Sequence, residues 1–299
     1  MIRQTGTLLI LGLTSLGIAP SLQAQDTGNA INRDSLRLVF EEKFDRPPDY
    51  YDPVENPDGR WKTNFAFGVQ DPGSSLAWET RTLRPNHELQ YYGDPAHDGS
   101  SYDWEKGSLT LVAQRNPLPS DTKGGSLPYM SGLITTEKSF AMRYGYFEAR
   151  IAMPTGKGLW PAFWLLPPFR PGQSVQPQQE IDVVENIGAR DEIHATVHTD
   201  EGGKKVPNGE KIAVSDVTRP HDYGVMVKPD RITWYIDGKA IRQAPNRDFD
   251  QPAYMLLDLA VGGKWPGAPD DKTHFPARMK IEWVRAYAIP GSTVVRPSQ

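Results

Sequence analysis

Glu180-Ile181-Asp182-Val183-Val184-Glu185 packs three carboxylates into six residues, threaded through three β-branched side chains. Branched side chains favour a pleated strand, on which successive residues face opposite ways. Glu180 and Asp182 then share one face, with Ile181 and Val183 turned into a core. Glu185 has the wrong parity for the carboxylate face. A bulge at Val183-Val184 inserts one residue and turns it back, so the spacing predicts three acids on one face above an apolar anchor. Crowded like charges resist full ionisation, and at least one of the carboxyls keeps its proton near neutral pH. A protonated carboxyl beside an ionised one is what glycoside hydrolysis requires: one attacks the anomeric carbon and the other protonates the leaving oxygen. A solvated acidic strand face, or part of a calcium site, are the competing readings of the hexapeptide alone.

Holding such a face in place takes a sheet, and the chain is rich in strand signals. Phe147, Ala149, Ile151 and Met153 alternate with Tyr146, Glu148 and Arg150, which predicts an apolar inner face and a polar outer one. Ala162, Trp164 and Leu166 share a face in the next segment. A Pro/Gln-rich loop at 167–179 then leads into the acidic strand. Beyond it, Ile193, Ala195 and Val197 point inward, which puts His194, Thr196 and His198 on the other face. Asp237-Gly238 between two β-rich runs is a type I′ hairpin signal, and long strands at 254–261 and 279–288 close the chain. Gly 27 and Pro 27 supply the turns, and helical periodicity is nearly absent outside the first residues. Short strands separated by turn residues predict an all-β antiparallel sandwich. Neither a repeat nor a linker divides it, so a single catalytic domain is expected over 33–289, followed by a polar tail at 290–299.

Residues with the chemistry to hold sugar lie along the same strands. Trp160 and Trp164 are four apart and share a face, and Trp265 sits in the loop Gly262-Gly-Lys-Trp-Pro-Gly267. Flat aromatic rings match the C–H faces of pyranoses, while sugar hydroxyls need polar partners. Trp234 and Trp283, inside alternating strands, are expected to fill the core. His198 is placed to hydrogen-bond either substrate or the proton donor, or to be satisfied by a neighbouring side chain. Asn86, Glu88 and Gln90 alternate outward and form a polar row suited to hydroxyls. No His/Cys cluster has zinc spacing, no glycine-rich loop opens a helix for phosphate, and no nucleophile elbow supports a serine hydrolase.

The first residues belong to targeting. Arg3 precedes the apolar run starting at Leu8, and small residues follow to Ala24. This has the form of a secretory signal peptide over 1–24, with a flexible leader at 25–32. The run is too short to span a membrane, so no membrane association is expected after cleavage and the protein is expected to be secreted or periplasmic. Zero Cys excludes disulfides, and a net charge of −4 gives no electrostatic case for nucleic acid. A monomer acting on a polysaccharide is the expected working unit.

The hexapeptide resembles the signature of glycoside hydrolase family 16, in the bulged form of its laminarinase-type members. Gly158-Leu-Trp-Pro-Ala-Phe-Trp-Leu-Leu-Pro167, Asn86-His-Glu-Leu-Gln-Tyr-Tyr92, Ala260-Val-Gly-Gly-Lys-Trp-Pro-Gly267 and Val284-Arg-Ala-Tyr287 are similar to other segments of that family, in the same order. The resemblance implies a concanavalin-like β-jelly roll whose concave sheet forms a cleft for β-linked polysaccharide. It implies Glu180 as nucleophile, Glu185 as acid/base, Asp182 as the residue tuning Glu180, and Trp160, Trp164, His198 and Trp265 as cleft-lining. No cofactor is expected. A structural calcium bound by many relatives on the convex side is put in doubt by Lys43, and by Glu282 at a position often occupied by Asp. The implied activity is a retaining endo-β-glucanase on 1,3- or mixed 1,3-1,4-glucan. The stretch Tyr129-Met-Ser-Gly-Leu-Ile-Thr-Thr136 looks closest to bacterial exopolysaccharide-trimming enzymes, which keeps a succinoglycan-like substrate open. Transglycosylation and a non-catalytic carbohydrate-binding module also stay open at this point.

Overall fold

Alternating apolar residues give the two large sheets among the described residues, which pack face to face through their inward side chains. The computed structural model describes residues 30–65, 80–96, 101–122, 124–168 and 179–296. The expected signal segment, most of the leader and most of the Pro/Gln-rich loop lie outside the described residues. Strand makes up 51% of the structure and helix 5%, and the described helical residues are all in short 3-10 turns. None of the described helices is long and apolar enough to cross a membrane.

The six-stranded sheet runs, in spatial order, Lys205–Ala213, Glu192–Asp200, Glu180–Glu185, Leu159–Leu166, Tyr254–Val261 and Leu133–Thr135. Its inner face carries Phe163, Leu165, Ile181, Val183, Val184, Ala195, Val197, Leu257 and Leu259, all buried in the main core. Opposite lies a ten-stranded sheet, whose strand Gly145–Ala152 sits between His221–Val227 and Ala277–Ala288 and contributes Phe147, Ala149 and Ile151. Together they form the expected jelly-roll sandwich. Asp237 and Gly238 both have positive φ (49° and 78°), as a type I′ turn between Arg231–Ile236 and Lys239–Pro245 requires.

Several expectations change in detail. Trp283 is not core. The register of its strand shifts between Ile281 and Trp283, so the ring faces outward, half-buried beneath the Arg285 guanidinium at 4.3 Å. The outer face of Gly145–Ala152 is polar, as expected, but covered. Tyr146 and Glu148 are fully buried there, because Arg33 folds over them and its Nε donates to Glu148 at 2.8 Å. The end of the supposed leader is held as well, since the Ile31 N–H donates to the Gly238 carbonyl at 2.8 Å. In the supposed tail, Thr293–Val295 pairs with Ala141–Arg143 as a two-stranded sheet.

Trp234 has a part beyond filling space. Its indole N–H donates to the Asp182 carbonyl at 2.8 Å, beside the point where the acidic strand loses register. A bulge leaves backbone groups without ladder partners, and this one finds its partner in the opposite sheet. Trp234→Phe keeps an aromatic ring but leaves a buried carbonyl unpaired. A loss of about 1–3 kcal/mol in unfolding free energy is expected, measured by urea titration of the variant against the parent.

Candidate active site

The hexapeptide forms the strand Glu180–Glu185, buried along its whole length. Against Glu192–Asp200, Asp182 pairs with Thr196 and Glu185 with His194, so three steps on one strand meet two on the other. The neighbour Leu159–Leu166 shows the same extra residue, with Asp182 opposite Trp164 and Val184 opposite Phe163. A bulge therefore sits at Val183-Val184. Both valines and Ile181 enter the core, and Glu180, Asp182 and Glu185 line one cleft together with Trp160, Trp164, Asn86, Glu88, Lys205 and Asp258.

Each carboxyl has a distinct set of partners. Glu185 accepts from the Trp160 indole N–H at 2.9 Å. Burial first, then the Asp182 charge, push its pKa well above the ordinary carboxylate range, against the pull of that hydrogen bond. Glu180 Oε1 lies 2.7 Å from the Lys205 ammonium and 3.4 Å from His198 Nε2. Burial, the largest influence, raises its pKa and Asp182 adds to the rise, while Lys205 and His198 oppose them. Asp182 Oδ2 takes the His198 contact at 3.0 Å, so one imidazole nitrogen bridges two neighbouring carboxylates.

A fourth acid backs the three. Asp258 accepts from Tyr92 Oη and from the Trp164 indole, both at 2.7 Å. Burial pushes its pKa up to about 7 against those two hydrogen bonds. Trp164 is thereby anchored in the cleft wall. At the other end, Trp265 is 43% exposed and meets Trp160 and His194 edge-to-face, at 5.7 and 4.6 Å between centroids. Gly262 and Gly263 allow that packing. A Cβ on Gly263 would lie 3.1 Å from the Trp160 ring, and one on Gly262 would collide with Leu89 at 2.5 Å.

The polar row at 86–90 is placed differently from the sequence expectation. Asn86 belongs to a short 3-10 turn, Arg84–Asn86, and lines the cleft. Glu88 is buried, and both its oxygens accept from its own chain, from Asn86 at 3.1 Å and Gln90 at 2.6 Å. Its pKa is pushed up to about 7, mainly by burial and then by Asp258. Gln90 does not reach the cleft. It is fully buried, and its Oε1 accepts from the Val261 N–H at 2.8 Å. Glu88 and Gln90 therefore tie the Asn86 turn to the Trp265 loop, and Asn86 is the least buried of the three.

Acidic side chains gather in two places that bear on cation binding. On the convex side, Glu41 is engaged by Lys43 and Arg285, Glu42 by Arg60, and Glu282 by Arg150. That donor set does not fit a calcium ion, which takes six or more oxygens. Among the described residues, Glu180, Asp182 and His198 alone converge as ligands, and the Lys205 ammonium already occupies the Glu180 oxygen.

Residues 94–285 match the sequence profile of Glycosyl hydrolases family 16. The chain is 35% identical over 291 residues to Endo-1,3-1,4-beta-glycanase EglC of Rhizobium meliloti (strain 1021), covering 95% of this chain and 58% of that protein. The chain belongs to glycosyl hydrolases family 16. It is also 31% identical to a Beta-glucanase of Rhodothermus marinus, over 68% of this chain and 74% of that one. Among solved structures, the laminarinase catalytic domain of Thermotoga maritima MSB8 superposes with a TM-score of 0.68 at 28% identity, covering 85% of this chain and 98% of that domain. The chain thus spans more than half, but under two thirds, of the length of its rhizobial relative.

Three contributors to this family 16 site escaped the sequence reading. Asp258 had a signal: it is the lone charge in the otherwise apolar strand Tyr254–Val261. Tyr92 gave none beyond its neighbourhood. Lys205 was unreadable, because it lies 25 residues from Glu180 in sequence and only strand pairing brings the two together.

Proposed function

We propose that the chain is a retaining endo-β-glucanase that hydrolyses internal bonds of a 1,3- or mixed 1,3-1,4-linked glucan. The observation that carries this reading is the asymmetry across the bulge. Glu185 is held protonated by burial with one oxygen occupied by the Trp160 N–H, so its other oxygen is the one able to carry a proton to the substrate. Glu180 faces a lysine ammonium and serves as the ionised partner. The Glu180 carboxylate attacks the anomeric carbon, the bond to the leaving oxygen breaks, and Glu185 gives that oxygen its proton. Water then attacks the glycosyl ester, passing a proton back to Glu185 and freeing Glu180.

Two carboxyls on one face of one strand, separated only by a bulge, are close neighbours. Retaining pairs stand about 5–5.5 Å apart, too near for a water to attack between them. Trp160 and Trp265 supply stacking surfaces, and the activities for which EglC and the Thermotoga laminarinase are named support a glucan as substrate. A monomer is the working unit in this reading. The test is a panel of laminarin, mixed-linkage glucan and a bacterial exopolysaccharide, with viscosity, product length and proton NMR of the first product. Viscosity falling ahead of reducing ends, with initial β-anomer, is the expected result. Initial α-anomer from a β-linked substrate would mean inversion and overturn the reading.

Export belongs to the same proposal, since a polymeric substrate is met outside the cytoplasm. Cleavage after Ala24 predicts a mature protein starting at Gln25. N-terminal sequencing of protein expressed in a secretion-competent host checks it, and a retained Met1 terminus would refute it.

A further inference from the structure

Lys205 opens the edge strand Lys205–Ala213, directly across the turn from Asp200. That strand is exposed over most of its length, and Gly202 and Gly203 in the turn have open space around them. A lysine on such an edge would ordinarily project into water. The acids around the turn have other partners: Glu201 pairs with Arg247 at 3.1 Å, and Asp200 accepts from the Gly203 N–H at 2.6 Å. Lys205 instead reaches across the neighbouring strand into the cleft, and its ammonium meets Glu180 Oε1 at 2.7 Å.

The charge balance around Glu180 explains what this reach accomplishes. On its own strand Glu180 faces Asp182 and Glu185. The strand Glu192–Asp200 presents His198, and Tyr254–Val261 presents Tyr254 and Asp258. Glu88 lies across the cleft. Carboxyls dominate this set, and His198 sits nearer to Asp182 than to Glu180. Among the described residues, Lys205 is the permanent cation in contact with Glu180.

We propose that Lys205 is a positioning residue that keeps Glu180 ionised and holds its carboxylate in the cleft for attack. This rests on the reading of Glu180 as nucleophile. The ion pair stabilises the carboxylate before attack, and the charge disappears when Glu180 forms the ester to the anomeric carbon. Lys205 therefore acts on how much of the enzyme is competent at a given pH, and less on the rate once Glu180 is fully ionised. An opposite charge within 4–6 Å lowers a carboxyl pKa by about 1–3 units. Removing it pushes the ionisation of Glu180 to higher pH.

The test compares the parent, Lys205→Met and Lys205→Arg on laminarin from pH 4 to 9. In parallel, carbon-13 NMR follows the glutamate carboxyls of the intact protein, with the Glu180 signal assigned from a Glu180→Gln spectrum. In Lys205→Met, both the Glu180 titration and the acid limb of kcat/KM are expected to move up by about one pH unit. The high-pH plateau should change less than the limb, and Lys205→Arg should follow the parent. A Glu180 titration unchanged in Lys205→Met overturns the proposal. So does a uniform loss of activity at every pH with the limb in place, which would mark a merely structural role. If the titration moves and the acid limb does not, the assignment of Glu180 as nucleophile falls instead.

Discussion

Glu180→Ala is expected to lower turnover of polysaccharide by about 10⁴-fold or more, the scale on which loss of an attacking group acts. No other carboxyl can take its place. Asp182 is committed to His198, and Glu185 accepts from Trp160 on the far side of the bulge. Binding should survive, because Trp160, Trp164 and Trp265 do not depend on Glu180 for their positions. Trp160 is held by Glu185 and Trp164 by Asp258. Lys205 loses its partner at little cost to the fold, since its side chain is already 37% exposed and can return to water. The space vacated by the carboxylate admits a small anion, and Lys205 adds a cation to receive it. With azide and an activated β-glycoside, the variant should form α-glycosyl azide by direct displacement. Turnover within tenfold of the parent, without added azide, would remove Glu180 from the chemistry.

The difference between what could be read in the residue pattern and what could not is one of range. The bulge was readable because its cause is local. Three acids at i, i+2 and i+5 with branched residues between them have one arrangement that leaves no carboxylate in the core, and the register shift at Asp182–Glu185 is that arrangement. The inward faces of 145–152 and 192–200 were readable for the same reason, from period-two alternation. Trp283 was misplaced because alternation assumes an unbroken strand, and the shift at Ile281–Trp283 reverses parity without altering composition. Gln90 was misplaced because polarity predicts exposure only when no buried donor or acceptor waits for it, and here the Val261 N–H does. Glu148 does lie on the outer face, where Arg33, 115 positions away, covers it. Lys205 is the functional counterpart of these errors. Its role depends on two strand pairings and a reach across a third strand, none of which leaves a mark in the residues around it.

Glu185→Ala is the second large effect, and it separates the two carboxyls by role. On polysaccharide the leaving group is an alkoxide that must be protonated, so a loss of about 10²–10⁴-fold is expected. An aryl glycoside with a strongly acidic phenol needs no such proton, and its first step should stay close to the parental rate. The second step remains slow, because no base deprotonates the incoming water. A burst of phenol followed by a slow steady state is therefore expected from stopped-flow absorbance. The pH profile should change with a fixed sign. In the parent, activity is expected to fall at high pH as Glu185 loses the proton that burial and Asp182 hold on it. In the variant that basic limb should vanish, leaving the acid limb set by Glu180. Azide accelerates the second step by attacking the glycosyl ester on Glu180 from the side that Glu185 occupied. Its product is then β-glycosyl azide, the opposite anomer from that of Glu180→Ala. If Glu185→Ala gave the α-azide and Glu180→Ala the β-azide, the nucleophile and the acid would have to be exchanged across the bulge.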